Sequence, residues 1–382
     1  MRRTIQFTFL IISLCIPLVG NAQSSSTGSN TISTAVPFLT ITPDSRAAGM
    51  GDAGAATSSD VNSQFWNAAK YAFSEQQSGV GVSYSPWMKS MVDDMSLSYV
   101  SGFYKLDDRQ ALSASLRYFA LGSFGVRDEY NVLQAEQNPN EFALDFAYSR
   151  KLAETWSGAV TLRYIRSNVA GASIGDVETS PANAFAVDVA FLYRSTTDEN
   201  SNAWSAGIVA SNIGSPVSYD DGNTKDLLPA NLRLGGAYDW AIDSNNKLTF
   251  ALDFNKLMVP SSSYHSVTND SGVILTSNSA DDYSVIGGIF RSFSDASLKE
   301  EFQEITTSVG VEYWYANQMA VRTGYFHENK NKGGRKYLTI GAGAKLRGIS
   351  FDVAYLYTFN TTSPLENTFR FSLGFDFGSL FM

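Results

Sequence analysis

Cysteine is almost missing from this chain: one thiol, Cys15, in 382 residues. It lies within an N-terminal stretch, residues 1–22, that reads as a secretory signal peptide. Arg2 and Arg3 give a positive start, Phe7 to Val19 form a short apolar run, and Gly20-Asn21-Ala22 offers small residues for cleavage before Gln23. The run is shorter than the roughly 20 apolar residues that a membrane-anchoring helix needs. The mature chain then has no thiol, which excludes disulfide staples, thiolate nucleophiles and cysteine metal sites. Histidine is nearly as scarce. His265 and His327 are the only two, they fall in or beside different expected loops, and no spacing joins either to a nucleophile and an orienting acid. The chain therefore reads as a non-enzyme. Basic charge is short as well: without Arg2 and Arg3 the 28 basic residues become 26 against 37 acidic, a net charge of −11, which opposes any nucleic-acid partner. The paired acids Asp93-Asp94, Asp107-Asp108, Asp220-Asp221 and Asp281-Asp282 lack the spacing of a calcium loop and read as solvated turn acids. Neither a metal nor a cofactor is expected.

No apolar run of transmembrane-helix length follows the signal, so a membrane can be crossed only by a closed barrel, which satisfies every backbone group internally. What the chain has in its place is alternation. From Gly79 onward, apolar and polar or small residues exchange with period two, the mark of strands with two unlike faces. The last segment is the clearest. Phe369, Phe371, Leu373, Phe375 and Phe377 share one face, and Arg370, Ser372, Gly374 and Asp376 the other. Fourteen such strands are expected, at 79–86, 95–105, 110–119, 141–150, 156–167, 183–194, 203–212, 230–240, 246–255, 305–315, 318–327, 337–346, 349–359 and 367–377. The run from Tyr283 to Phe290 would make fifteen, but counting it breaks the alternation of short and long links. It is assigned to one long surface loop, 256–304, with a helical turn between Asp295 and Phe302. The fold class is therefore all-β: a 14-stranded antiparallel transmembrane outer-membrane β-barrel over 79–382, with both termini in the periplasm.

Before the barrel, residues 23–40 read as a flexible leader and 41–78 as an N-terminal plug or hatch. Gly49, Gly51 and Gly54 make a formal G-x-G-x-x-G match. A dinucleotide site would need an apolar strand leading in and a helix leading out, yet Pro43-Asp44 precede it and Thr57-Ser58-Ser59-Asp60 follow. The run reads instead as a tight turn that lets backbones pack closely inside the barrel.

The run Ile41-Thr42-Pro43-Asp44-Ser45-Arg46-Ala47-Ala48-Gly49-Met50-Gly51-Asp52-Ala53-Gly54, followed by Asn62-Ser63-Gln64-Phe65-Trp66-Asn67, resembles the N-terminal signature of the PorV family, outer-membrane barrels of type IX secretion. Tyr84-Ser85-Pro86-Trp87, Ser115-Leu116-Arg117-Tyr118-Phe119, Ile286 to Phe293 and Arg370 to Phe375 are similar too, so the resemblance spans most of the mature chain. It implies a carrier that binds the C-terminal signal domain of secreted cargo leaving the translocon pore and delivers it to a surface attachment complex with its sortase. The wider class resembles the long-chain fatty-acid channel, a fourteen-stranded barrel with a hatch, which keeps open the alternative of a channel for hydrophobic small molecules. Where that hatch carries Asn-Pro-Ala this chain has Asn67-Ala68-Ala69, which argues against lipid passage by the same hatch. A third reading is a scaffold for other outer-membrane components.

Three sets of residues are candidates for function. Gly49, Gly51, Asp52, Gly54, Trp66 and Asn67 form the plug. Arg117, Asp145, Arg163, Asp188, Arg233, Asp239, Asp253, Glu312 and Arg322 face the lumen, where they either pair with one another or line a solute path. Trp87, Met88, Met91, Phe124, Tyr130, Leu257, Met258, Ile289, Phe290 and Phe293 lie in expected loops, where apolar side chains either cap the barrel, touch outer-membrane lipid or meet a partner.

Overall fold

A computed structural model describes residues 32–88, 94–127, 130–169, 180–220, 225–261, 263–269, 272–278, 284–359, 365–366 and 368–380, with 263–269 and 272–278 described as backbone only. The expected signal peptide, the first half of the leader (23–31), and Met91 lie outside these residues.

Eighteen strands form among the described residues. They are β1 (Ser78–Pro86), β2 (Met95–Lys105), β3 (Gln110–Leu121), β4 (Phe124–Arg127), β5 (Leu133–Gln137), β6 (Asn140–Lys151), β7 (Trp156–Asn168), β8 (Ala182–Arg194), β9 (Ala203–Gly214), β10 (Asn231–Ala241), β11 (Asn246–Leu257), β12 (Ser263–Asn269), β13 (Gly272–Asn278), β14 (Thr306–Tyr315), β15 (Met319–His327), β16 (Lys336–Leu346), β17 (Ile349–Thr358) and β18 (Thr368–Asp376). Fourteen of these close one antiparallel barrel, while β4–β5 and β12–β13 are separate hairpins. Closure is made by β1 and β18, which pair from Gly79 with Asp376 to Tyr84 with Phe371. It leaves no edge, and in hydrocarbon each unpaired backbone group would cost several kcal/mol.

The two faces of the wall are the reverse of those in a water-soluble barrel. Outward apolar side chains stay bare, with Leu162 61%, Phe185 67% and Ile340 63% exposed, whereas the inward Arg117 and Asp145 are 1% exposed. A bare apolar belt around a charged interior is stable only with lipid outside.

Connections alternate as the sequence implies. Short links follow β2, β6, β8, β10, β14 and β16 at one end, and long ones gather at the other. The link Arg347-Gly348 has positive φ at both residues, 46° and 81°, the mirror-image turn whose twist matches a hairpin. Asp198 and Asp243 hold other short links by accepting backbone N–H bonds, Asp198 from Asn200 and Asn202, Asp243 from Asn245 and Asn246.

The loop between β11 and β14 is more structured than the sequence implies. It carries the β12–β13 hairpin and two helices. The Tyr283–Phe290 run, weighed as a strand, is largely helical: the helix Val285–Arg291 is capped by Ser284, whose Oγ accepts from Gly287 N at 3.2 Å. The helical turn expected at 295–302 is the helix Leu298–Gln303, begun by Ser297 three residues ahead of Glu300. A second correction concerns the leader. Residues 37–40 form a 3-10 turn, and Val36, Phe38 and Leu39 are buried against Leu97, Phe119 and Ile165. Composition misled here because three apolar residues in a polar stretch show no period, yet they suffice to anchor it.

Candidate functional site

The described N-terminal segment is threaded through the barrel. A four-residue helix α1 (Ser45–Ala48) starts at Asp44, whose Oδ2 accepts from Ala47 N at 3.0 Å while its Oδ1 accepts from Trp66 Nε1 at 2.6 Å. One carboxylate thus caps the helix and fixes the indole. The chain then turns through Gly51 at φ 67° and Asp52 at φ 64°, the left-handed region that glycine enters without a Cβ clash.

This turn is pressed against a stripe of wall glycines. A Cβ built on Gly324 of β15 would lie 2.1 Å from Gly51 N, one on Gly310 of β14 would lie 2.5 Å from Met50 O, and one on Gly207 of β9 would lie 2.5 Å from Ala55 O. On the plug side, Gly54 lies beneath Trp66, 2.3 Å from its ring atoms for a built Cβ. At Gly324 against Gly51 backbone meets backbone, because neither residue carries a side chain.

The N–H groups of the glycine run, which a nucleotide phosphate would occupy, are taken: those of Gly49, Met50 and Asp52 bond to carbonyls of α1, and those of Gly51 and Gly54 reach the wall. Asp253 Oδ2 accepts from Gly54 N at 2.8 Å and from Ala55 N at 2.9 Å, and Thr339 Oγ1 accepts from Gly51 N at 2.9 Å. Asn67 bridges plug and wall, with Nδ2 donating to Ala55 O at 3.0 Å and to Phe191 O at 3.1 Å. Asp52 accepts from the Tyr337 hydroxyl and lies 3.5 Å from Arg370. Of the six plug residues picked from sequence, Gly49, Gly51, Asp52, Gly54 and Asn67 each bond to the wall, Gly49 through its O, which accepts from Thr339 Oγ1 at 3.0 Å, while Trp66 is held by Asp44.

Charge completes it. Arg46 donates from Nε to Glu312 Oε2 at 2.9 Å and from Nη2 to Glu312 Oε1 at 2.7 Å, and its Nη1 lies 2.8 Å from Asp60. Arg322 Nε donates to the same Glu312 at 2.6 Å and its Nη1 to Asp352 at 2.6 Å. A second chain on the opposite strands runs Arg117–Asp145–Arg163–Asp188, with Arg163 Nε 2.6 Å from Asp145 and Nη2 2.9 Å from Asp188. It holds a β-bulge where Ser211 and Asn212 of β9 oppose Asp188 alone; Asn212, at φ 60°, donates its N–H to Asp188 at 2.7 Å. Asp239 takes Arg194 and Lys247. Of the nine lumen charges picked from sequence, seven are thus in ion pairs, Asp253 binds plug backbone, and Arg233 stands apart. Sequence reasoning missed Arg46, Asp60, Asp352 and the glycine stripe, although the inward phase of Gly207, Gly310 and Gly324 was readable in the alternation.

Lys70 of the plug is buried, with Nζ donating to Gly54 O at 3.0 Å and Thr57 Oγ1 at 3.1 Å. Desolvation lowers its pKa from 10.5 to about 8. The unfolded chain then binds the proton more tightly, so stability rises with pH between about 8 and 10.5. Urea midpoints measured across that window are expected to climb in the native protein and to lose this increment in Lys70→Met; an unchanged slope in the variant would refute the assignment.

The loop candidates separate into two groups. Phe124 and Tyr130 are exposed, Phe290 is 74% exposed, and Phe293 is exposed with Lys256 Nζ 5.5 Å over its ring. Ile289 is partly buried, Met88 is partly buried at φ 49°, and Met91 lies outside the described residues. Trp87 lies under the Arg370 guanidinium, 5.8 Å away, and packs on the cluster around Phe38. Leu257 turns toward the lumen. Met258 is a correction: it is 5% exposed, because its N–H donates to Ala230 O and draws the strand end inward. Exposed apolar residues that sequence reasoning did not single out, Ile286, Leu298 and Phe302, join Phe290 and Phe293 on the two loop helices.

His327 Nδ1 lies 3.2 Å from the Tyr325 hydroxyl, and His265 belongs to β12, which is described as backbone only.

A closed fourteen-stranded barrel with a bare apolar belt, a charged lumen and its own N-terminal segment as plug defines an outer-membrane barrel of the hydrocarbon-channel fold. Among solved structures, the TodX deltaS2S3 mutant monoaromatic hydrocarbon channel shares that fold at TM-score 0.53 and 11% identity, covering 87% of this chain and 99% of that one. A Pseudomonas aeruginosa FadL homologue matches at TM-score 0.47 and 13% identity over 88% of this chain and 99% of its own. At such identity the likeness to TodX shows fold alone, and the weaker one adds nothing to it. The sequence profile of the family described as type IX secretion system protein PorV matches residues 24–264, and the chain belongs to that family. It is an outer-membrane protein of type IX secretion, and neither its family nor its fold is enzymatic in kind. No curated protein matches.

Proposed function

We propose that the protein is a carrier: it binds the C-terminal signal domain of cargo leaving the translocon pore and hands it to the sortase-bearing attachment complex. The observation that carries this reading is the occupied lumen. A plug held by wall glycines, Asp253 and the Arg46–Glu312 pair makes the barrel a support, while the long loops at one end present Phe290, Phe293, Ile286, Leu298 and Phe302. Recognition of a folded domain needs such displayed apolar anchors and no conduit. In this reading the short links and both termini face the periplasm, and the long loops face outward. The signal peptide ends at 22, and the plug of residues 41–78 is extended on its N-terminal side by the anchored residues 36–40.

The fold also supports the rival reading, since TodX is a monoaromatic hydrocarbon channel. Against it stand the polar walls beside the plug, which carry Arg117, Arg163, Asp188 and Arg233, and the β8–β9 bulge, stapled by Arg163 and Asp188. A hydrophobic solute would have to cross those charges undressed.

The test is to replace residues 262–303 with a short Gly-Ser link and purify the protein from outer membranes. The carrier reading expects secreted proteins sharing a C-terminal domain to co-purify with the native protein and to be lost from the variant, with heat-modifiable barrel migration unchanged. Equal cargo recovery from both would remove this loop as the receptor. Recovery of bound hydrophobic small molecules and no secreted protein would favour the channel.

A further inference from the structure

On the long-loop side of the plug lies a cavity of about 150 Å³, lined in part by Glu304, Glu328 and Lys332 at the ends of the long loops. Four carboxylates line it, Asp52, Asp188, Glu304 and Glu328, and each has an Arg or Lys within salt-bridge distance. Arg233 of β10 is different. Its Nε donates to Asn255 Oδ1 at 2.7 Å, its Cζ lies 4.6 Å over the Trp66 ring and 5.5 Å over the Phe65 ring, and it lines the cavity. Among the described residues no carboxylate reaches its guanidinium within salt-bridge distance, and neither Nη donates a hydrogen bond. Arg117, 1% exposed and lining the same cavity, has its Cζ 4.9 Å over the Phe65 ring, and its Nε has no hydrogen-bond partner.

A guanidinium placed over the Trp66 ring, anchored by one nitrogen and with neither Nη donating a hydrogen bond, keeps free the planar fork that recognises a carboxylate bidentately. We propose that this cavity is a carboxylate site, with Arg233 as the binding group and Arg117 supplying a further N–H from across Phe65. Asp253 acts on Arg233 from beyond salt-bridge distance and leaves its Nη edge free, so the fork can take one carboxylate, and the volume admits a group of a few heavy atoms. The polar wall excludes a long acyl chain. Two sources share this chemistry: a small free carboxylate, and the C terminus of a polypeptide entering from the loop end. Only the second extends the carrier reading.

Calorimetry on the full-length protein in detergent tests the site with three probes: propionate, N-acetyl-glycylglycine with a free C terminus, and the same dipeptide as its amide. A charge-assisted bond contributes about 1.5–3 kcal/mol, so affinity for the acid is expected to exceed that for the amide about tenfold or more. Arg233→Gln should lose that margin, and Arg233→Lys should retain part of it, with heat-modifiable migration confirming the fold of each. Dipeptide binding that propionate does not displace assigns the chain terminus; propionate binding with equal displacement assigns the free acid. Equal binding of acid and amide, no binding of any probe, or undiminished binding by Arg233→Gln overturns the proposal. Loss of cargo recovery in the loop variant leaves this result untouched, so the two readings fail separately.

Discussion

A barrel carrying Gly324→Val is expected to insert and close normally but to expel its plug. The added Cβ would lie 2.1 Å from both Gly51 N and Met50 C and 2.6 Å from Met50 O, all backbone atoms with no side chain to swing aside. Nor can the plug back away locally. A Cβ on Gly51 would sit 2.6 Å from Tyr325 N, so the turn is pinned against the wall, and Gly51 itself is at φ 67°. Overpacking a relaxed core costs about 1–3 kcal/mol; a collision of two backbones belongs at the upper end or beyond. The wall, by contrast, keeps its own ladder, because Gly324 pairs with Gly310 and Thr339 through backbone alone. Planar-bilayer recordings should therefore show a conductance in Gly324→Val that the native protein lacks. Gly341→Ala, whose built Cβ approaches Gly49 Cα only to 3.1 Å, should stay closed or flicker. A closed Gly324→Val barrel with an unchanged urea midpoint would mean that the glycine stripe does not hold the plug.

The wall was legible in the sequence because period two is a strong signal, and the β-structure reaches every one of the fourteen expected segments to within two residues at each end. Alternation states which face a residue occupies. It does not state at what height it stands or what lies across the lumen. Glu312 and Arg322 were readable as inward, but their third partner, Arg46, comes from a helix 266 residues away from Glu312. The bulge at Ser211 and Asn212 was invisible for a related reason: Asn212 breaks phase by one residue near the strand end, where frayed alternation looks the same. Arg233 shows the limit in the other direction. Sequence grouped it with the paired lumen charges, and only the placement of Phe65 and Trp66 beneath it sets it apart.

Glu312→Ala should be the most damaging single change to the charge network. Glu312 is 0% exposed and accepts from two arginines at once, Arg46 of the plug and Arg322 of β15. Removing it leaves Arg322, 1% exposed, with only Asp352, and Arg46 with only Asp60 and two contacts to Ser58. Breaking a buried pair from one side typically costs about 3–5 kcal/mol, chiefly because a charge stays behind without compensation. That cause makes a sharper prediction than the size alone. If the penalty is the orphaned cation, adding Arg46→Met to Glu312→Ala should recover part of it, since one of the two stranded guanidiniums disappears. If the pair instead stabilises mainly through its own attraction, the double variant should be no better than the single one. Urea unfolding from lipid vesicles measures the global loss, and hydrogen exchange at Ala47 to Gly51 separates plug release from barrel unfolding. Glu312→Ala within about 0.5 kcal/mol of native, the range of ordinary surface changes, would mean that the plug is held by the glycine contacts and Asp253 without this network.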